Sequence, residues 1–138
     1  MIVPERIDTD LVRLLSHSRL QIVAVVHTNH ANELDENVAA ALGRLKSVTR
    51  ILLNQSVLLR GINDSVASLI ALSERLVSCG VAPYYLHLLD PVSGAAHFAV
   101  DDREGIALVE AMRRRAPGYL VPRLVREKPG ELSKTPIS

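Results

Sequence analysis

Short, nearly continuous apolar runs alternate along the chain with stretches in which apolar residues recur every three or four positions. That alternation of periods predicts an α/β chain of successive βα units. The run Leu20 to His27 is apolar and rich in β-branched residues, which predicts a parallel strand covered on both faces. Further strands are predicted over Arg50 to Leu53, Pro83 to Leu88 and Tyr119 to Leu124, at intervals of roughly 30 to 35 residues, the span of one βα unit.

The stretches between carry helix start and stop signals. An opening helix is predicted near Asp8 to His17, and Val38, Ala41, Leu42 and Leu45 mark the buried stripe of the next, after the polar turn Asn29 to Asp35. Asp64 is expected to cap a third helix with the stripe Val66, Leu69, Ile70, Leu76 and Val77, ended by Gly80. Asp101 and Glu104 have the spacing of a capping box ahead of a fourth helix carrying Ile106, Val109 and Met112. Arg113, Arg114 and Arg115 fall where that helix ends, and basic side chains there complement its dipole. Residues 1–125 thus read as about four parallel βα units, and residues 126–138 as a loop or tail without period.

Composition narrows the function classes. With 138 residues, 48% of them apolar and 22% charged, the chain fits one globular domain with a sizeable core. A net charge of +1 from interspersed signs, and only Tyr84, Tyr85, Tyr119 and Phe98 as aromatics, argue against a nucleic-acid platform. The lone Cys79 forms no internal disulfide and cannot by itself hold a zinc ion or an iron–sulfur cluster, which points to a reducing cytoplasm. The apolar run Leu20 to Val26 is far shorter than the roughly 20 residues a membrane helix needs. Pro4, Glu5, Arg6 and Asp8 place charge where an export signal needs apolar residues, so neither anchor nor export is expected.

In parallel α/β sheets ligands gather beyond the carboxyl ends of the strands. Here those ends run into His27-Thr28-Asn29-His30, Asn54-Gln55-Ser56, His87 to Asp90, and Arg126-Glu127. His27, His30 and Glu33 could ligate a metal or simply hydrogen-bond the loop backbone. Asp90 and Glu127 could hold a cationic group between two carboxylates, or cap loops. Gln55 could fix a polar ligand through its amide or tie down the following loop. Lys134 could serve as a Schiff-base amine if enclosed, though a lysine in such a tail is usually solvated. Tyr84, Tyr85 and Phe98 read as core or pocket wall, and Cys79 as a small apolar group.

Longer blocks carry a resemblance. His27-Thr28-Asn29-His30-Ala31-Asn32-Glu33, the run from Leu53 to Asp64 (LNQSVLLRGIND) and Pro83-Tyr84-Tyr85-Leu86-His87-Leu88-Leu89-Asp90 resemble the lysine 2,3-aminomutase family of radical S-adenosylmethionine enzymes. Gly94 to Phe98, the run from Gly118 to Glu127 (GYLVPRLVRE) and Pro129 to Pro136 (PGELSKTP) resemble its bacterial branch, which makes (R)-β-lysine for elongation factor P. The resemblance covers the chain but corresponds to the C-terminal portion of a family member, which implies part of a (β/α) radical-enzyme barrel.

In that family a reduced [4Fe-4S] cluster cleaves S-adenosylmethionine, the resulting radical takes hydrogen from the β-carbon of lysine, and pyridoxal phosphate carries the migrating nitrogen. By position, the resemblance implies that Lys134 holds pyridoxal phosphate through its amine. Asp90 and Glu127 match the acidic positions that bind the ε-ammonium of L-lysine, the second being aspartate in the clostridial type. Gln55 matches a position contacting S-adenosylmethionine. His27, Asn29 and His30 border the same cofactor, which argues against reading them as metal ligands.

The family's CxxxCxxC cluster motif lies upstream of the matching portion, and this sequence contains no counterpart. The expectation is therefore a truncated or split isomerase, inactive alone, whose partners are L-lysine and a separate N-terminal half or a second copy of the chain. Its product would reach elongation factor P only indirectly. The alternatives are a non-catalytic fragment that binds lysine or pyridoxal phosphate or docks a partner, and a metal hydrolase built on His27, His30 and Glu33.

Overall fold

The computed structural model describes residues 2–89, 96–126 and 135–137. Helix α1 (Thr9–Ser16) leads into β1 (Val23–His27), and the pattern repeats through α2 (Glu36–Lys46), β2 (Ile51–Leu58), α3 (Val66–Ser78), β3 (Ala82–Leu88), α4 (Asp102–Arg115) and β4 (Arg123–Arg126). A short β5 (Thr135–Pro136) follows. The sheet order is β1-β2-β3-β4-β5. The four βα strands pair in parallel, and β5 lies antiparallel to β4. This is the expected α/β architecture, an arc of parallel strands backed by helices.

Local chemistry sets the helix starts. Asp8, Asp35 and Asp101 cap α1, α2 and α4, each side chain accepting a backbone N–H from the first turn at 2.8, 2.9 and 3.0 Å. The third helix differs from expectation: Ser65 is its cap, accepting from the Ser68 N–H, while Asp64 turns back to accept from the Gly61 N–H at 2.9 Å. Gly61 needs that turn, with φ at +80°, and Gly80 adopts the same left-handed value where α3 ends.

The core lies on one side of the sheet. Val38, Ala41, Leu42 and Leu45 of α2 pack with Leu52, Leu72, Leu76 and Val81, while Val109 and Met112 of α4 pack with Leu58, Leu86, Leu88 and Leu124. On α3 the buried stripe is Leu69, Leu72, Ser73 and Leu76, and Val77, expected inside, is exposed. Gly105 lets α4 approach the sheet: a Cβ there would stand 3.0 Å from Leu88 and 3.4 Å from Leu124.

Three strand expectations change. The first strand begins at Val23, and Leu20 is exposed. It is not covered on both faces: Val23 and Val25 are 52% and 42% exposed, because β1 is an edge strand whose second face no described residue covers. The second strand does not stop at Leu53 but runs to Leu58, since Asn54 and Ser56 are buried and mutually hydrogen-bonded and so do not interrupt it. The fourth begins at Arg123, because Gly118–Leu120 forms a 3-10 turn and Tyr119 faces solvent.

Candidate functional site

The face of the sheet opposite the helices carries the candidate chemistry. Strand alternation and the register place Val23, Val25 and His27 of β1 beside Ile51, Leu53 and Gln55 of β2. Tyr85 pairs with Gln55 and His87 with Val57. A register shift between Asn54 and Gln55 brings Tyr85 into line with Gln55. Gln55 therefore sits inside a strand, not at its carboxyl end as expected.

His27 and Gln55 are direct register partners. The Gln55 Oε1 lies 3.3 Å from His87 Nε2, and because an amide oxygen only accepts, the imidazole donates from Nε2. The Gln55 amide nitrogen is thereby left with its donors for other partners. Tyr85 packs edge-on against His87, with ring centroids 5.9 Å apart, so Gln55, Tyr85 and His87 form one half-buried group on the open face. Sequence reading missed His87 as a member of it; the signal available was its two-residue spacing from Tyr85, which in a strand means a shared face.

The loop after β1 is tightly wired. Thr28 is buried, and Asn54 of β2 accepts from both its N–H and its Oγ1. The Asn29 Oδ1 accepts from the Val57 N–H at 2.9 Å. His30 caps the turn Ala31–Glu33 through Nδ1, which accepts from the Asn32 N–H, while Glu33 Oε2 accepts from the N–H groups of Asn29 and His30 at 2.6 and 3.0 Å. His30 and Glu33 thus form a reciprocal capping box. Among the described residues no group of three or more His, Cys, Asp or Glu side chains is placed to hold a metal, and the hydrolase arrangement of His27, His30 and Glu33 finds no geometric support.

Beyond the ends of β3 and β4, a depression of about 620 Å³ is lined by Arg60, Leu89, Val100, Asp102, Arg103 and Arg126, among others. Arg126 pairs with Asp102 in the first turn of α4, and Arg60 reaches Glu104 at 3.3 Å. Asp90 and Glu127 follow Leu89 and Arg126 directly in the chain, but they, like Lys134, lie outside the described residues. Cys79 is half-buried at the end of α3, on the helix side. One thiol so placed does not meet the needs of an iron–sulfur cluster.

No family model matches the chain. It is 50% identical over 137 residues to the L-lysine 2,3-aminomutase of Escherichia coli and 47% identical over 135 residues to that of Haemophilus influenzae, covering 99% and 98% of this chain. The Clostridium subterminale L-lysine 2,3-aminomutase is 37% identical over 137 residues. The chain spans about 40% of the length of the first two and 33% of the third. A radical SAM methyltransferase from Sphaerobacter thermophilus shares the fold, with a TM-score of 0.65 at 16% identity over 91% of this chain and 38% of that one. The resemblance read from the motifs is therefore a similarity along the whole of this chain to one portion of the L-lysine 2,3-aminomutases, and the partial barrel matches the fold of a radical SAM enzyme.

Proposed function

We propose that this chain is the C-terminal part of an L-lysine 2,3-aminomutase-like isomerase, supplying the pyridoxal-phosphate lysine and the substrate carboxylates. The observation that carries this reading is the near-50% identity extending over essentially all of its residues. The whole reaction converts L-lysine to (R)-β-lysine, destined for elongation factor P. In it, Lys134 holds pyridoxal phosphate, and Asp90 and Glu127 bind the substrate ε-ammonium. Pyridoxal phosphate, when bound, would carry the nitrogen that shifts between neighbouring carbons of a substrate-based radical.

The residues of this chain then bind, orient and exclude water. Gln55, its oxygen engaged by His87, offers neutral amide donors of a kind that suits S-adenosylmethionine, and His27 stands next to it in register. The loop bearing Asn29 and His30 borders the same ligand. The cluster does not fit this chain, whose single cysteine cannot replace three thiolates. That half of the chemistry belongs to a polypeptide carrying CxxxCxxC, which would also cover the open face of the sheet. The chain by itself is inactive in this reading.

The test is spectroscopic. Purified chain mixed with pyridoxal phosphate should develop a visible band absent from Lys134→Ala, and should convert no lysine with reductant and S-adenosylmethionine until a cluster-bearing partner is added. Absence of the band in the unmodified chain would overturn the assignment of Lys134, and β-lysine formed without a partner would overturn the division of labour.

A further inference from the structure

Strand β1 stops at His27, whose register partner is Gln55, yet β2 continues to Leu58. Val57 is therefore beyond the reach of the β1 ladder, and backbone groups at such a position need other partners. Two asparagine side chains supply them. The Asn29 Oδ1 accepts from the Val57 N–H at 2.9 Å, and the Asn63 Nδ2 donates to the Val57 carbonyl at 2.9 Å. The same Nδ2 donates to the Asn29 carbonyl at 2.8 Å, while the Asn63 Oδ1 accepts from the Leu59 N–H at 2.8 Å. Asn63 is 1% exposed.

An asparagine that only closed its own turn would need the Leu59 contact and nothing more. Asn63 instead reaches across 34 positions of sequence to the loop after β1, and both its amide hydrogens end on carbonyl oxygens of different segments. No other side chain of similar size offers two donors and an acceptor in this arrangement. Aspartate would turn an oxygen toward those two carbonyls.

We propose that Asn63 is a positioning residue: its buried amide locks the loop carrying Asn29 and His30 to the strand carrying Gln55, so that the groups of both segments facing S-adenosylmethionine keep one relative geometry. The lock is a property of this chain alone; its link to that ligand rests on the functional reading above.

The experiment compares the full 138-residue chain with Asn63→Asp by backbone amide hydrogen exchange, with Leu69→Ala, a core change in α3, as the control for general destabilisation. In Asn63→Asp the Val57, Asn29 and His30 amides should exchange about tenfold faster relative to those of Leu52 and Leu86, whereas Leu69→Ala should raise exchange without singling out the loop. Calorimetric titration with S-adenosylmethionine should show affinity lowered about tenfold in Asn63→Asp, a change that Leu69→Ala does not share. Exchange that rises uniformly in Asn63→Asp overturns the lock, and unchanged affinity overturns its role toward the ligand. If the unmodified chain takes up no S-adenosylmethionine, that side of the functional reading falls and the exchange pattern alone decides the lock. Should Asn63→Asp fail to fold, Asn63→Ala, which leaves room for a water, is judged by the same pattern. Failure of both to fold overturns the proposal, because the amide would then hold the whole fold and not the loop.

Discussion

Asn54 treats Thr28 as a strand would treat its neighbour: its Oδ1 accepts from the Thr28 N–H at 3.0 Å and from Oγ1 at 2.9 Å, and its Nδ2 donates back to the Thr28 carbonyl at 3.3 Å. Both residues are 1% exposed, so truncation strands several polar groups away from water. Asn54→Ala should lower unfolding free energy by about 3 kcal/mol, and Thr28→Val, which loses only the hydroxyl, by about 1 kcal/mol. Urea titration of the two variants checks the order; a smaller loss for Asn54→Ala would contradict the network.

Two helical glycines should respond in opposite senses to the same change. Gly43 lies in the exposed part of α2 with nothing within 4 Å of an added Cβ, so Gly43→Ala should stabilise by up to about 1 kcal/mol through helix propensity. At Gly105 the new methyl meets Leu88, Leu124 and Leu58, all nearly or fully buried. Overpacking there outweighs the propensity gain and should leave Gly105→Ala about 1 kcal/mol less stable than the parent. Thermal unfolding of both variants measures the contrast, and stabilisation at Gly105 would show that the three leucines can give way.

Period and composition made the βα order, the α2 stripe and the Asp101 cap of α4 readable from the sequence, because those features depend on residues close together in the chain. What escaped depends on contacts between distant segments. Asn54-Gln55-Ser56 looked like the end of a strand because polar residues usually end one. Only the partner at Thr28, 26 positions away, explains why an asparagine can sit buried in mid-strand. Gln55 and His27 were named from sequence, but their direct pairing needed the register. The open face of β1 was misread for a related reason: Val23 and Val25 are apolar as a buried strand demands, and the sequence does not reveal which face lacks a cover among the described residues.

Tyr84 and Tyr85 touch through their hydroxyls at 3.1 Å, with ring centroids 3.9 Å apart. The hydrogen bond to Tyr85, aided by desolvation and by repulsion from a second phenolate, holds the Tyr84 pKa above its ordinary value of 10.0, while Arg123 opposes the shift. A raised folded pKa means that the folded state keeps its proton longer, so this contribution to stability is full below pH 10 and is lost as pH rises through the shifted value. Ultraviolet titration of phenolate absorbance should find Tyr84 ionising late, and Tyr85→Phe should move it back toward the ordinary value. No movement in Tyr85→Phe would remove the hydrogen bond as the cause.

Val23 and Val25 of the edge strand β1 share one face with Ile51 of the neighbouring β2, and the three are 52%, 42% and 48% exposed. Contiguous apolar surface beside an unpaired strand edge favours association between chains. Threonine keeps the β-branched shape while replacing a methyl by a hydroxyl. The parent chain should therefore self-associate as its concentration rises, and the double variant Val25→Thr with Ile51→Thr should lose much of that association. Because both side chains already meet solvent, its unfolding free energy should shift by no more than about 1 kcal/mol. Sedimentation velocity across a concentration series, paired with denaturant unfolding, separates the two effects. Undiminished association would place the sticky surface elsewhere, while a large stability loss would mean that this face is covered in the folded chain.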